Sequence, residues 1–150
     1  MKQSRYHAGA VTFYSAAKLK SRDVVYVTLP IYHSNGGVIG VGSALINGNT
    51  VVLRKKFSAS NFWSDCIKHN CTAFIYVGEI CRFLVNQPKS ELDRKHNVRK
   101  AIGNGLRSNV WAEFHKRFGI KCFEFYSASE ANCTKNKKKR VNFNFFKSVL

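Results

Sequence analysis

Near the end of the regularly patterned part of the sequence stands FEFYSASEANCT, Phe123 to Thr134, where a strand-like run gives way to small residues and then to Glu130. Ser127 and Ser129 precede that acid, and their hydroxyls suit phosphate oxygens. A carboxylate beside them suits Mg2+, a hard cation that shares its oxygen ligands with substrate phosphates. A glutamate capping a surface turn fits the same spacing, and the residues alone leave both readings open. Small-residue turns recur at HSNGG (His33–Gly37), GNGLR (Gly103–Arg107) and YSASEAN (Tyr126–Asn132). Glycine lets backbone N–H groups come close to a phosphate or a planar base. None of the three follows the GxxxxGKS/T or GxGxxG patterns, so each alone reads as a turn, and only their conjunction points to a nucleotide site. His33 has the chemistry of a general base, but no Asp or Cys stands near it in sequence, which favours a pocket-lining role.

The elements that must position these residues alternate between two periods. VVYVTLP (Val24–Pro30), TVVLR (Thr50–Arg54), CTAFIYV (Cys71–Val77), VRKAIGN (Val98–Asn104) and KCFEFYS (Lys121–Ser127) are short apolar or β-branched runs that read as strands. Between them lie segments with helical spacing. Val38, Val41, Leu45 and Ile46 are expected on one face of a helix stopped by Gly48. Phe62, Trp63, Cys66 and Ile67 are expected on a second helix opened by cap-type serines. GEICRFLV and SNVWAEFHKRF supply two more helices, the latter ending at Gly119, and SRYHAGAVTFYSAAKL an amino-terminal one. SELDRKHN is polar and reads as either a surface helix or a loop. The expected fold is α/β, a mostly parallel sheet covered by helices. Ligands of open parallel sheets bind at the carboxyl ends of the strands, here PIYHSNGG, VGE, GNGLR and YSASE.

Composition bounds the rest. The chain has 150 residues, enough for one ordinary domain with a real core, and 45% of them are apolar. It carries 25 Lys and Arg against 8 Asp and Glu, a net charge of +17, which favours a polyanionic partner such as nucleic acid or an anionic membrane surface. Residues 135–150 hold six basic side chains and no acid; without them the chain is still +11. This tail keeps neither period, is expected to be disordered, and has the Lys/Asn/Phe bias that translated A/T-rich DNA would give. The net charge and this KKKR are what support nucleic-acid binding; no recognisable binding motif accompanies them, and no specific nucleic-acid partner is expected. Neither a disulfide framework nor a zinc site follows from five cysteines without a CxxC pair, and they read as buried, reduced thiols. MKQSRYHAGAV lacks the apolar core of a secretion signal, and no run is long enough to span a membrane.

The stretches LPIYHSNGGVIGVGSALINGNTVVLRKKFSASNFW, DCIKHNCTAFIYVGEICRFLVNQP, RKHNVRKAIGNGLRSNVWAEFHKRFGI and EFYSASEANCT closely resemble the fatty acid transport proteins. These are very long-chain acyl-CoA synthetases, a branch of the AMP-forming, adenylate-forming enzymes. The resemblance runs from about Ser4 to Thr134. It implies that residues 1–134 are a partial AMP-binding domain, a central slice of the family's N-terminal domain, with 135–150 a divergent tail. It also implies a reaction in which a fatty acid and Mg-ATP give an acyl-adenylate and pyrophosphate, after which CoA displaces AMP. The substrates and cofactors would thus be ATP, Mg2+, CoA and a long or very long-chain fatty acid. The protein would associate with a membrane, facing the cytosol at the endoplasmic reticulum, plasma membrane or peroxisome, and would not be secreted; a homo-oligomer stays open.

EFYSASE is similar to the family's Tyr-Gly-Ala-Thr-Glu motif. By that resemblance the nucleotide-binding residues are Gly103, Asn104, Gly105, Glu124, Phe125, Tyr126 and Ser129, with Tyr126 stacked on adenine. Ser129 stands for the usual threonine at the α-phosphate, and Glu130 assists the metal; these two are the catalytic candidates. His33 and Gly78 would line the acyl pocket. Ser127 and Ala131 stand where the family has or often has glycine, and a Cβ there strains any turn that needs positive φ. The family's phosphate loop, its ribose-binding aspartate and its catalytic lysine have no counterpart in the sequence. The isolated chain is therefore expected to be inactive. The alternative is a non-catalytic binding or interaction protein.

Overall fold

The computed structural model describes residues 3–126 and 135–136. Helix α1 (Gln3–Ala16) is followed by β1 (Val24–Val27), a π-helical segment (Asn35–Val41), α2 (Gly42–Asn47), β2 (Thr50–Leu53), α3 (Phe62–Lys68) and β3 (Ala73–Val77). Then come α4 (Gly78–Val85), the single turn α5 (Leu92–Lys95), β4 (Lys100–Asn104), α6 (Ser108–Phe118), β5 (Lys121–Tyr126) and β6 (Lys135–Asn136). The strands form one sheet in the order β2-β1-β3-β4-β5-β6. The first five are parallel, and β6 pairs antiparallel with the end of β5. This is the α/β architecture expected from the alternating pattern.

Two cores lie on opposite faces of the sheet, and the two-residue period of the strands sorts side chains between them. Val25, Val27, Ala73, Ile75, Ile102 and Phe125 face α1 and the π-helical segment. Tyr26, Phe74, Tyr76 and Ala101 face α3, α4 and α6, where Phe62, Trp63, Leu84, Phe114 and Phe118 complete the second core. β3 is buried on both faces, which is why it reads as an unbroken apolar run instead of an alternation.

Three local expectations are corrected. The helix expected from Gly36 to Gly48 opens as a π-helix, whose wider turn rotates the face, so Leu45 is 75% exposed instead of buried. On α3 only Phe62, Trp63 and Cys66 are buried; Ile67 is partly exposed, and no side chain caps the helix. SELDRKHN is neither a free loop nor a surface helix alone. Its Asp93 is buried and ion-paired with Arg117 of α6. Of the tail expected to be disordered, Lys135–Asn136 form β6, and the rest of that expectation lies outside the described residues. Among the described residues no helix is long and apolar enough to cross a membrane.

At the amino ends of the strands, Asp23 is fully buried and accepts hydrogen bonds from the Lys20 N–H (2.8 Å), the Thr72 hydroxyl (2.8 Å) and the Arg99 guanidinium, with Lys100 Nζ at 3.6 Å. Burial pulls the carboxyl upward, but the hydrogen bonds from Lys20 and Thr72 and then the Lys100 and Arg99 charges outweigh it and hold the pKa below its ordinary value. The unfolded chain therefore takes up this proton first. The stabilisation is full above about pH 4 and is lost as pH falls through the lowered folded value. Asp23→Asn is expected to cost about 1–3 kcal/mol at neutral pH. Its urea midpoint is expected to fall less steeply than that of the unmodified chain between about pH 5 and about pH 3.

Candidate functional site

Because β1 to β5 are parallel, the segments that follow β1, β3 and β4 leave the sheet at the same edge at which Tyr126 ends β5. The chain leaves β1 through Pro30 into a turn closed by the His33 N–H on the Pro30 carbonyl at 3.1 Å. His33 is exposed there, and its Nδ1 accepts a long hydrogen bond, 3.4 Å, from the Asn35 backbone N–H. Asn35 turns inward and is 2% exposed. Its side-chain amide donates to Asn104 Oδ1 at 2.8 Å and to the Tyr76 carbonyl at 3.3 Å, joining the ends of β1, β3 and β4.

Gly78 opens α4 immediately after β3. A Cβ on it would lie 1.9 Å from the carbonyl oxygen of Gly105, so the α4 entrance and the GNGLR turn touch backbone to backbone. Gly103 is buried within β4, in register with Tyr76 on one side and Glu124 on the other. Asn104 is half-buried at the strand end and Gly105 is exposed with φ +76°. The buried Glu124 carboxylate accepts a hydrogen bond from the Leu106 backbone N–H, fastening this turn to β5.

His33, Gly78, Gly103, Asn104, Gly105 and Glu124 thus lie at neighbouring strand ends. Phe125 does not join them: its ring packs on Phe13 of α1, centroids 4.4 Å apart, on the opposite face of the sheet. Only its backbone is available to this edge. Tyr126 ends β5, and its side chain, like Ser127, Ser129, Glu130, Ala131 and Cys133, lies outside the described residues. Asn35 is the residue that sequence reasoning passed over. A polar side chain between a His-Ser pair and two glycines was the available signal.

The described part of the site contains no poised nucleophile. Cys66, Cys71 and Cys81 are buried and form no disulfide, Cys66 and Cys71 are hydrogen-bonded to each other away from this edge, and Cys122 is half-buried. Burial pushes the Cys81 thiol well up and the Cys122 thiol up to about 12, with the Glu124 charge adding to the latter. The Tyr76 hydroxyl is buried without a partner among the described residues, and burial raises its pKa as well. Among the described residues no cluster of three or more His, Cys, Asp or Glu forms a metal site. Glu124 is held by Leu106, and Glu79 is paired with Arg82 at 2.8 Å. Among the described residues the edge thus offers closely apposed backbone at Gly78 and Gly105 and one half-buried amide, Asn104, groups suited to holding a ligand in place.

The family model described as AMP-binding enzyme matches residues 3–140. The chain belongs to that family. The match runs past residue 134 into the tail. Within the family the chain is 56% identical over 132 residues to long-chain fatty acid transport protein 1 of Homo sapiens, covering 87% of this chain and 20% of the relative. It is 54% identical over 111 residues to long-chain fatty acid transport protein 6 of Mus musculus, covering 73% and 18%. The chain thus spans about a fifth of the curated relatives it matches. Among solved structures, the fold is similar to ATP-bound MatB from Rhodopseudomonas palustris, with a TM-score of 0.79 and 19% identity over 91% of this chain and 27% of that one. It is likewise similar to a Mycobacterium tuberculosis fatty acyl CoA synthetase, with a TM-score of 0.77 and 21% identity over 87% and 26%. AMP-binding family membership and this fold place the parallel sheet of the chain in the N-terminal domain of adenylate-forming enzymes.

Proposed function

We propose that the carboxyl edge of the sheet is the nucleotide and acyl-adenylate face of an AMP-forming long-chain or very long-chain fatty acyl-CoA ligase. The observation that carries this reading is the convergence of HSNGG, Gly78, GNGLR and Glu124 at one strand edge in a chain of the AMP-binding family. In the reaction, a fatty acid carboxylate oxygen bonds to the α-phosphorus of Mg-ATP and the bond to the β-phosphate bridge breaks, releasing pyrophosphate. The CoA sulfur, having lost its proton, then bonds to the acyl carbon, and AMP leaves. No protein nucleophile takes part; positioning and neutralisation of phosphate charge supply the rate.

In this assignment Gly103, Asn104 and Gly105 border the adenine, with backbone from Glu124 and Phe125 and the Tyr126 ring stacked on the base. Ser129 would bond the α-phosphate, and Glu130 would hold the Mg2+ that arrives with ATP. His33 and Gly78 border the acyl group. The whole protein would work at a cytosol-facing membrane surface, where conversion to the CoA ester draws fatty acid inward. Calorimetric titration of the chain with AMP tests the site without requiring turnover. Saturable binding is expected, weakened about 5-fold by Asn104→Ala through loss of one hydrogen bond. Heats that stay flat for both AMP and ATP would overturn the reading.

A further inference from the structure

We infer that Asn35 is a positioning residue that sets the orientation of the Asn104 amide, so that Asn104 offers its NH2 group, and not its carbonyl, to an acceptor atom of the bound nucleotide. This rests on the reading of the carboxyl edge as a nucleotide site. An asparagine amide has a donor end and an acceptor end of nearly equal shape, so only its partners decide which end faces a ligand. Asn35 supplies that decision. Its Nδ2 donates both to the Tyr76 carbonyl, which can only accept, and to Asn104 Oδ1. The first bond fixes Asn35 with its NH2 inward. The second then requires Asn104 to present oxygen to Asn35 and leaves the Asn104 NH2 pointing elsewhere.

That NH2 group has no acceptor among the described residues, and Asn104 is only half-buried. Among the described residues it therefore stands at the end of β4 as an unspent donor, beside the exposed Gly105. A donor there matches the ring nitrogens of adenine or an oxygen of the α-phosphate. The backbone N–H of Asn35 also donates to His33 Nδ1 at 3.4 Å, so acyl-side and nucleotide-side segments share one orienting residue.

The test compares three variants for AMP affinity by calorimetry and for urea stability. Asn35→Ala frees the Asn104 amide to turn, and AMP affinity is expected to fall about 3-fold. Asn35→Asp offers a carboxylate that can only accept, so Asn104 turns its NH2 inward and its carbonyl outward; affinity is expected to fall about 20-fold. Asn104→Asp keeps the oxygen that Asn35 binds but has no donor for the ligand, and is expected to bind as weakly as Asn35→Asp with the fold intact. A residue that only supported the fold would rank these variants by stability, not by donor direction. Equal AMP affinity of Asn35→Asp and the unmodified chain would overturn the inference. If the unmodified chain bound no AMP, the nucleotide reading itself would fail, and the orientation would be judged without ligand by NMR. In that measurement the Asn104 side-chain NH2 resonances are expected to move downfield in Asn35→Asp, and unchanged resonances would overturn the inference.

Discussion

Arg117→Ala is expected to lower the folding free energy by about 3–5 kcal/mol, enough to leave a marginal domain largely unfolded at ambient temperature. The guanidinium is one-tenth exposed and uses all three nitrogens. It holds Asp93 through Nε at 2.8 Å and through Nη2 at 3.3 Å. It also donates to the carbonyls of Val85 (2.6 Å), Gln87 (2.7 Å) and Pro88 (2.8 Å). One side chain thus closes the end of α4, the loop after it and the α5 turn onto α6. Its removal strands a buried carboxylate and three carbonyls at once. Arg117→Lys keeps the charge but cannot fork to five acceptors, and is expected to recover less than half of the loss. Urea denaturation followed by circular dichroism reads both values, and a loss below about 1 kcal/mol for the alanine variant would contradict the account.

Gly78→Ala is expected to damage the site more than any other single methyl group. The new Cβ would sit 1.9 Å from the Gly105 oxygen and 2.5 Å from its carbon, and backbone cannot swing aside as a flexible side chain does. The start of α4 and the GNGLR turn must separate, which pulls Leu106 off Glu124 and Asn104 off Asn35. A stability loss of about 1–3 kcal/mol is expected from overpacking. AMP affinity is expected to fall at least about 10-fold, because every proposed contact on β4 moves together. Gly105→Ala is the informative comparison. It strains a residue at φ +76°, but its nearest neighbour, the Gly78 nitrogen, would be 3.8 Å away, so about 1–2 kcal/mol of stability should be lost with the turn left in place. Equal AMP affinities for Gly78→Ala and the unmodified chain would refute the close approach as a determinant of the site.

The sheet was legible in the sequence because its signals are local. Ala73–Val77 is an uninterrupted apolar run, and Cys122–Phe125 alternates, with Phe123 and Phe125 packing toward α1 and Glu124 placed opposite them. The segments that would face a ligand followed from parallel topology alone. What was not legible depends on partners distant in sequence. Asn35 acquires its role from Asn104, 69 positions away, and Asp93 becomes a core residue only because Arg117 reaches it from 24 positions on. Asp23, which gathers groups from three strand starts, carried no local signal either. The π-helical turn escaped a reading based on 3.6-residue spacing, which is why Leu45 was assigned to a face it does not share.

Asp23 and Asn35 sit at opposite ends of the same short strands, and the length between them has a practical meaning. Four to six residues of extended chain span about 13–20 Å, and the Asp23 charge is answered on the spot by Arg99 and Lys100. The acid-sensitive anchor is therefore electrically insulated from the ligand edge. Tolerance to low pH and preference among nucleotides become separately adjustable traits, so that selection or design acting at one end of the strands leaves the other end as it was.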